Sequence, residues 1–220
     1  MNTEYLDQVL LINKPLRWTS FDVVNKLRNK LKIKKIGHAG TLDPLATGLL
    51  ILCTGKMTKR IDEFQAQEKE YTGKFVIGKT TPSHDLETTI EEGGNTDHIT
   101  EEQLKSAAHK FTGTLQQIPP LHSAIKIDGK RAYKFARKGK DIVLKPREVI
   151  VSTFEITSFE KPFVGFRIVC SKGTYIRSLA RDFGNELGTG AYLAELCRTR
   201  IGSFKLSDAL EIDQINPEPK

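Results

Sequence analysis

Long apolar runs are missing from this 220-residue chain; none approaches the ~18 residues that a membrane-spanning helix needs. The first residues, Met1-Asn2-Thr3-Glu4-Tyr5-Leu6-Asp7, have neither the basic nor the apolar stretch of a secretory signal. Cysteine is scarce. Cys53, Cys170 and Cys197 are odd in number and lie within apolar segments, so they read as buried reduced thiols and not as a disulfide or zinc framework. The five histidines are scattered without ligand spacing, so no metal centre is expected. A phosphate loop is also lacking. From Gly48 to Gly55 six residues intervene where four are required, and Met57 stands where Ser or Thr is needed. These absences leave a cytoplasmic protein without a membrane role as the expectation.

The length allows one large domain, or a domain with a small appendage, and a 38% hydrophobic content supports a real core. The formal net charge is +7, and its placement is uneven. Between Lys126 and Arg147 there are nine basic residues (Lys126, Lys130, Arg131, Lys134, Arg137, Lys138, Lys140, Lys145, Arg147) against Asp128 and Asp141. This segment supplies the whole excess. Tyr133 and Phe135 are interleaved with the cations, a composition suited to a polyanion by stacking and phosphate neutralisation. A solvated helix face is the alternative.

The densest local pattern is Gly37-His38-Ala39-Gly40-Thr41-Leu42-Asp43-Pro44-Leu45-Ala46-Thr47-Gly48-Leu49-Leu50. The run from Leu49 to Cys53, closed by Thr54-Gly55, is short, continuous and apolar, and reads as a buried strand. Pro44 keeps Asp43 out of the α region. Gly37 and Gly40 permit close approach of the backbone to something large. The outcome is a carboxylate on a stiff loop with His38 on the same loop. An Asx-type turn is the plain reading, and a functional carboxylate the sharper one.

Elsewhere, Val9–Ile12 reads as a strand ending in an Asn13-Lys14-Pro15 turn. Thr19 or Ser20 caps a helix with Phe21, Val24, Leu27 and Leu31 at helical spacing. Lys56 to Arg60 begins a short helix. Residues 68–78 alternate as a strand with Tyr71, Gly73, Phe75 and Ile77 on one face. Glu91–Asn95 reads as a turn or flexible loop, and Thr100 with Gln103 as a capping box opening a helix to Gly113. Ser123–Ile127 and Asp128-Gly129 suggest a strand and hairpin, Arg131–Lys138 a helix, and Val149–Val151 a return to the sheet. Val164, Phe166, Ile168 and Cys170 share a strand face. Thr174 can cap a helix with Ile176, Leu179, Ala180, Phe183 and Leu187 inward. Arg177 then falls in its first turn, where the macrodipole disfavours a cation and a nearby carboxylate or phosphate would offset this.

The string from Gly37 to Leu50 resembles the catalytic signature of the TruB-type tRNA pseudouridine synthases, with Asp43 at the essential aspartate and His38 at the histidine that probes the base stack. Further similarity spans nearly the whole chain. Lys14 matches the first motif, where packing support of the loop is an equal reading. Tyr71 in Lys69-Glu70-Tyr71 matches the tyrosine that stacks on the target base. Lys172-Gly173-Thr174-Tyr175-Ile176-Arg177 matches the segment whose arginine pairs with the catalytic aspartate and whose tyrosine, Tyr175, lines the uracil pocket. Gly190 to Phe204 matches the closing motif, with Leu196 against the base and Arg198 near RNA. One departure stands out: where the family has G-x-x-T-D-T-x-D, this chain has Gly78-Lys79-Thr80-Thr81-Pro82-Ser83-His84-Asp85, so only Asp85 matches.

The resemblance implies an α+β pseudouridine synthase fold, with a largely antiparallel central sheet flanked by helices and a basic, thumb-like inserted subdomain. It implies one catalytic domain over 1–220 with the insertion at 119–147. The chain stops at Lys220, too soon for the C-terminal RNA-binding domain of many relatives, so RNA affinity is expected to rest on the catalytic domain and insertion. The implied reaction isomerises uridine to pseudouridine at position 55 of the tRNA T-loop, without a cofactor, in a monomer needing no protein partner. Asp43, Tyr71 and Arg177 would be catalytic. His38, Tyr175, Leu196, Lys14, Lys59 and Arg198 would bind substrate, and Lys126, Lys130, Arg131, Lys134, Arg137 and Lys138 the RNA backbone. Whether Asp43 attacks C1′ or takes the C2′ proton stays open. The rivals are a subunit of a guide-RNA-dependent complex and an RNA-binding module without catalysis.

Overall fold

In the computed structural model, which describes residues 4–121, 126–127, 130–131 and 144–216, the chain opens with strand β1 (Val9–Lys14) and helix α1 (Ser20–Leu31). There follow β2 (Ile36–His38), β3 (Ala46–Thr54), a 3-10 turn (Gly55–Arg60), α2 (Ile61–Ala66) and β4 (Lys69–Ile77). Short strands β5 (Lys79–Thr80) and β6 (Glu91–Glu92), α3 (Glu101–Lys110) and β7 (Gly113–Gln117) come next. The chain continues through β8 (Lys126–Ile127), β9 (Lys130–Arg131), β10 (Arg147–Glu160), β11 (Phe163–Cys170), α4 (Ile176–Glu186), β12 (Ala191–Ile201) and β13 (Phe204–Lys205). The class is α+β with mostly antiparallel strand pairing, as the resemblance implied. Among the described residues no helix is long and apolar enough to cross a membrane.

Two compact units divide the chain, Met1–Thr72 with Glu195–Lys220, and Gly73–Ala194. In the first, β3 lies between β1, antiparallel to it, and β12, parallel to it. Leu50 and Leu52 face one hydrophobic cluster, with Val23, Val24, Leu27 and Leu31 of α1. Leu49, Ile51 and Cys53 face another, with Ala39, Phe64 and Ile201. Both faces of β3 are therefore dry, which is why its sequence runs apolar without alternating.

Helix α1 begins with a capping box: Asp22 N–H donates to Thr19 Oγ1 at 3.0 Å and Thr19 N–H to Asp22 Oδ2 at 2.8 Å. Burial of Val23, Val24, Leu27 and Leu31 contributes roughly 6–12 kcal/mol gross. Phe21, expected on this face, is 56% exposed. Ser20 takes its place, lying one turn from Val24 and in line with Leu27 and Leu31.

The second unit is built on β4, β11, β10 and β7 in that order. Its core is aromatic, with Phe75 stacked on Phe166 at 4.2 Å between centroids and Phe154 and Phe183 around them. Several expectations need correction here and in the first unit. Asn13 and Lys14 belong to β1 and not to a turn, because they pair with Leu49 and Gly48 of β3. His38 ends β2, opposite Leu52, and is not on the loop. Glu91–Asn95 is anchored: β6 pairs with β5, and Gly93 and Gly94 donate to the carbonyls of Gly78 and Thr189. A Cβ on Gly93 would come 2.4 Å from Thr189 O, so close backbone packing explains the glycine. The cap of α4 is Tyr175 and not Thr174, whose hydroxyl donates to Ser171 O instead. Strand β7 carried no alternating signal and was not anticipated. Cys53 and Cys170 are buried as expected, and burial pushes Cys53 up to about 11, but Cys197 is half-buried.

Candidate active site

The segment joining β2 to β3 carries Asp43 at its centre, half-buried, and nearly every residue around it is tied down. Leu42 N–H donates to Ser20 Oγ at 2.9 Å, and that hydroxyl lies 3.2 Å from the Leu42 carbonyl. Ala46 N–H donates to Asp43 O at 3.1 Å, and Arg17 N–H to Pro44 O at 2.7 Å. To make that contact Arg17 adopts a left-handed conformation, φ +67°. Such backbone strain in a non-glycine residue persists only where the surroundings over-determine it.

Two buried cations complete the support. Lys14, 0% exposed, donates from Nζ to Trp18 O at 2.6 Å, Pro15 O at 2.9 Å and Pro44 O at 3.5 Å. Burial lowers its pKa to about 8; the Asp43 carboxylate opposes that fall and Arg198 adds to it. Arg198, 1% exposed, donates to Leu49 O at 2.8 Å, Gly40 O at 3.1 Å and Thr41 O at 3.4 Å. Arg198 was expected to bind substrate, and Lys14 either to bind substrate or, equally, to support the loop by packing. Their donors point instead into carbonyls of the protein, and neither is accessible to RNA.

His38 is held below its ordinary pKa by burial and then by the Arg198 charge, partly offset by the Gly40 main chain. It is therefore a neutral imidazole, and its Nδ1 is buried without a hydrogen-bond partner among the described residues. Tyr71 on β4 is 9% exposed. Leu196 on β12 is half-buried and paired with Ala46, while Lys59 is exposed on the 3-10 turn. The first unit thus gathers seven of the expected residues: Lys14, His38, Asp43, Lys59, Tyr71, Leu196 and Arg198.

The second unit holds Tyr175 and Arg177. Gln117 of β7 grips Tyr175 through its main chain: Tyr175 N–H donates to Gln117 Oε1 at 2.8 Å, and Gln117 Nε2 to Tyr175 O at 3.1 Å. That grip sets where α4 begins. Arg177 follows in the first turn, and its guanidinium lies 3.5 Å from the Asp85 carboxylate, with both side chains 5% exposed. Arg177 also donates to Ser83 O at 3.4 Å. Asp85 is held by Glu87 N–H on its Oδ1 and by the Thr81 and Ser83 hydroxyls on its carbonyl. The carboxylate expected to offset the helix dipole is therefore present as Asp85, the one aspartate that survives in the departed motif. Its survival was the signal, and it was not connected to Arg177. Between Ser83 and Asp85, His84 has φ +61° and a pKa lowered to about 4 by burial and by Arg181 and Arg177.

Of the basic segment, β8 and β9 form the expected hairpin, with Lys126 opposite Arg131 and Ile127 opposite Lys130. Lys134, Arg137 and Lys138, and the helix expected there, lie outside the described residues.

Residues 28–176 match the sequence model of the TruB family pseudouridylate synthase N-terminal domain, and residues 177–218 that of the tRNA pseudouridylate synthase B C-terminal domain. The chain belongs to the TruB family. It is 53% identical to a tRNA pseudouridine synthase B of Parabacteroides distasonis, over 95% of this chain and 92% of that protein. To the protein of that name from Flavobacterium johnsoniae it is 54% identical, over 95% of each. Among solved structures it is similar to a chain of a Cbf5-Nop10-Gar1 complex, with TM-score 0.75 and 29% identity, covering 95% of this chain and about half, 54%, of that one. The TruB signature lies on a heavily anchored stretch: its Asp43 loop is held from α1, β1 and β12 at once.

Proposed function

We propose that the protein isomerises uridine to pseudouridine at position 55 in the T-loop of tRNA. The bond between C1′ and uracil N1 breaks, the base turns, and C1′ bonds to C5; the C5 proton leaves and N1 gains one. No group is imported and no electrons are exchanged with a second reactant. The observation that carries the reading is the immobilised Asp43 loop, lying within a family match that runs over 28–176. The names of the relatives at 53–54% identity supply tRNA as the substrate.

The target atoms are inaccessible inside a stacked loop, so the nucleotide leaves the stack at a cost of a few kcal/mol. His38, neutral and with a buried ring nitrogen in want of a partner, is suited to fill part of the vacated space. Tyr71 holds the uracil, Leu196 packs against it, and Asp43 acts on the ribose. Tyr71 is also the route by which the C5 proton leaves. Asp85, at 3.5 Å from the Arg177 guanidinium, orients that arginine. Substrate binding is assigned to Lys59, and contact with the RNA backbone to Lys126, Lys130, Arg131, Lys134, Arg137 and Lys138.

Tritium release from C5-labelled tRNA transcripts by the isolated protein is the test. The wild type is expected to turn over alone. Asp43→Asn is expected to bind tRNA and release no tritium. Turnover by that variant, or a wild type inert without guide RNA and partner proteins, rejects the proposal.

A further inference from the structure

Gly48 has a buried cation on either side. Within the sheet it is paired with Lys14 of β1 and also with Arg198 of β12. Its φ is +101°, and a Cβ there would lie 2.4 Å from the Arg198 carbonyl oxygen and 2.7 Å from its nitrogen. Only glycine fits this crossing. Two like charges so placed oppose each other: Arg198 disfavours the charged forms of both Lys14 and His38. A buried cation persists only where acceptors and counter-charge compensate it.

Here the acceptors are specific. The Arg198 guanidinium reaches Gly40 and Thr41, just before Asp43 in the chain, and Leu49, just after the loop has entered β3. One planar fork thus bonds both ends of the segment that carries the carboxylate. An ammonium on a flexible stem cannot present donors in that plane. Lys14 approaches the same segment from the opposite strand, through Pro44 O. The Asp43 charge is the largest one favouring the Lys14 ammonium, so loop and cations support each other.

We infer that Arg198 is a positioning residue for Asp43, tying the two ends of the Gly40–Leu49 segment together so that the carboxylate is presented at a fixed distance from the ribose. Its place is behind the loop, not against RNA. The inference rests on the reading of Asp43 as the reacting carboxylate. A misplacement of about 1 Å at a reacting group is enough to cost about 100-fold in rate.

The experiment compares wild type, Arg198→Lys, Arg198→Gln and Arg198→Gly in the tritium-release assay, with Asp43→Asn as control. Arg198→Lys, which keeps charge and bulk, is expected to lose about 100-fold in kcat with KM for tRNA changed less than about threefold. Added guanidinium ion is expected to restore part of the Arg198→Gly activity. In Arg198→Gln the His38 imidazole, followed by NMR, is expected to titrate at higher pH than in the wild type. A merely structural residue would not lower kcat while sparing KM in a folded Arg198→Lys. If Arg198→Gln does not fold, the Arg198→Lys kinetics decide. Near-wild-type kcat in Arg198→Lys, or a loss confined to KM, overturns the inference while the wild type stays active and Asp43→Asn stays dead. Turnover by Asp43→Asn instead sinks the underlying reading.

Discussion

Ser20 and Leu42 are joined across the first unit by a single hydroxyl that takes the Leu42 N–H at 2.9 Å and lies 3.2 Å from the Leu42 carbonyl. Ser20 is the first residue of α1, and Leu42 is the residue before Asp43. The start of the helix is thereby bonded directly to the Asp43 loop at a buried contact: Ser20 is 2% and Leu42 3% exposed.

Ser20→Ala is expected to leave the Leu42 N–H buried and unpaired. The cost is about 1–3 kcal/mol of stability, read from urea unfolding, with a fall in kcat larger than any change in KM. A variant with wild-type stability and kcat would mean that this hydroxyl does not anchor the loop.

The Lys14 ammonium gives a stability signature with a definite sign. Below about pH 8 it is protonated in both folded and unfolded chains and contributes no pH dependence. Between about 8 and the ordinary value of 10.5 the unfolded chain holds the proton and the folded chain has lost it, so this group makes stability rise with pH. Wild type is expected to gain up to roughly 3 kcal/mol over Lys14→Met across that window. Denaturation curves at pH 7.5 and pH 10 for both proteins check this; parallel pH profiles would remove the depressed lysine.

Asp85→Asn removes a carboxylate partner from a buried arginine. Because both side chains of this pair are 5% exposed, the expected loss is about 3–5 kcal/mol, with reduced turnover. A loss below about 1 kcal/mol, the range of an exposed pair, would show that Asp85 does not bear the Arg177 charge.

Much of the fold was legible locally. The Thr19 and Thr100 caps, the apolar run of β3 and the alternation of β11 are short-range patterns, and each fell where its pattern indicated. Phe21 was misplaced because its spacing to Val24 is compatible with a buried stripe; the position is decided by Ser20, whose burial depends on a loop more than twenty residues later. Thr174 looks like a cap by type, yet the Gln117 amide captures the next residue's main chain and delays the helix. Neither competitor lies within a local window.

By itself, the sequence determined the family and singled out Asp43 as the candidate carboxylate, since Gly37 to Leu50 is a contiguous pattern and backbone preferences act between near neighbours. Tertiary structure alone decided what Lys14, Arg198 and Asp85 do. A lysine or arginine beside a motif has the same composition whether it meets phosphate or a protein carbonyl. Only the register that sets Lys14 and Arg198 on either side of Gly48, from opposite ends of the chain, withdraws both from solvent and turns them onto the loop.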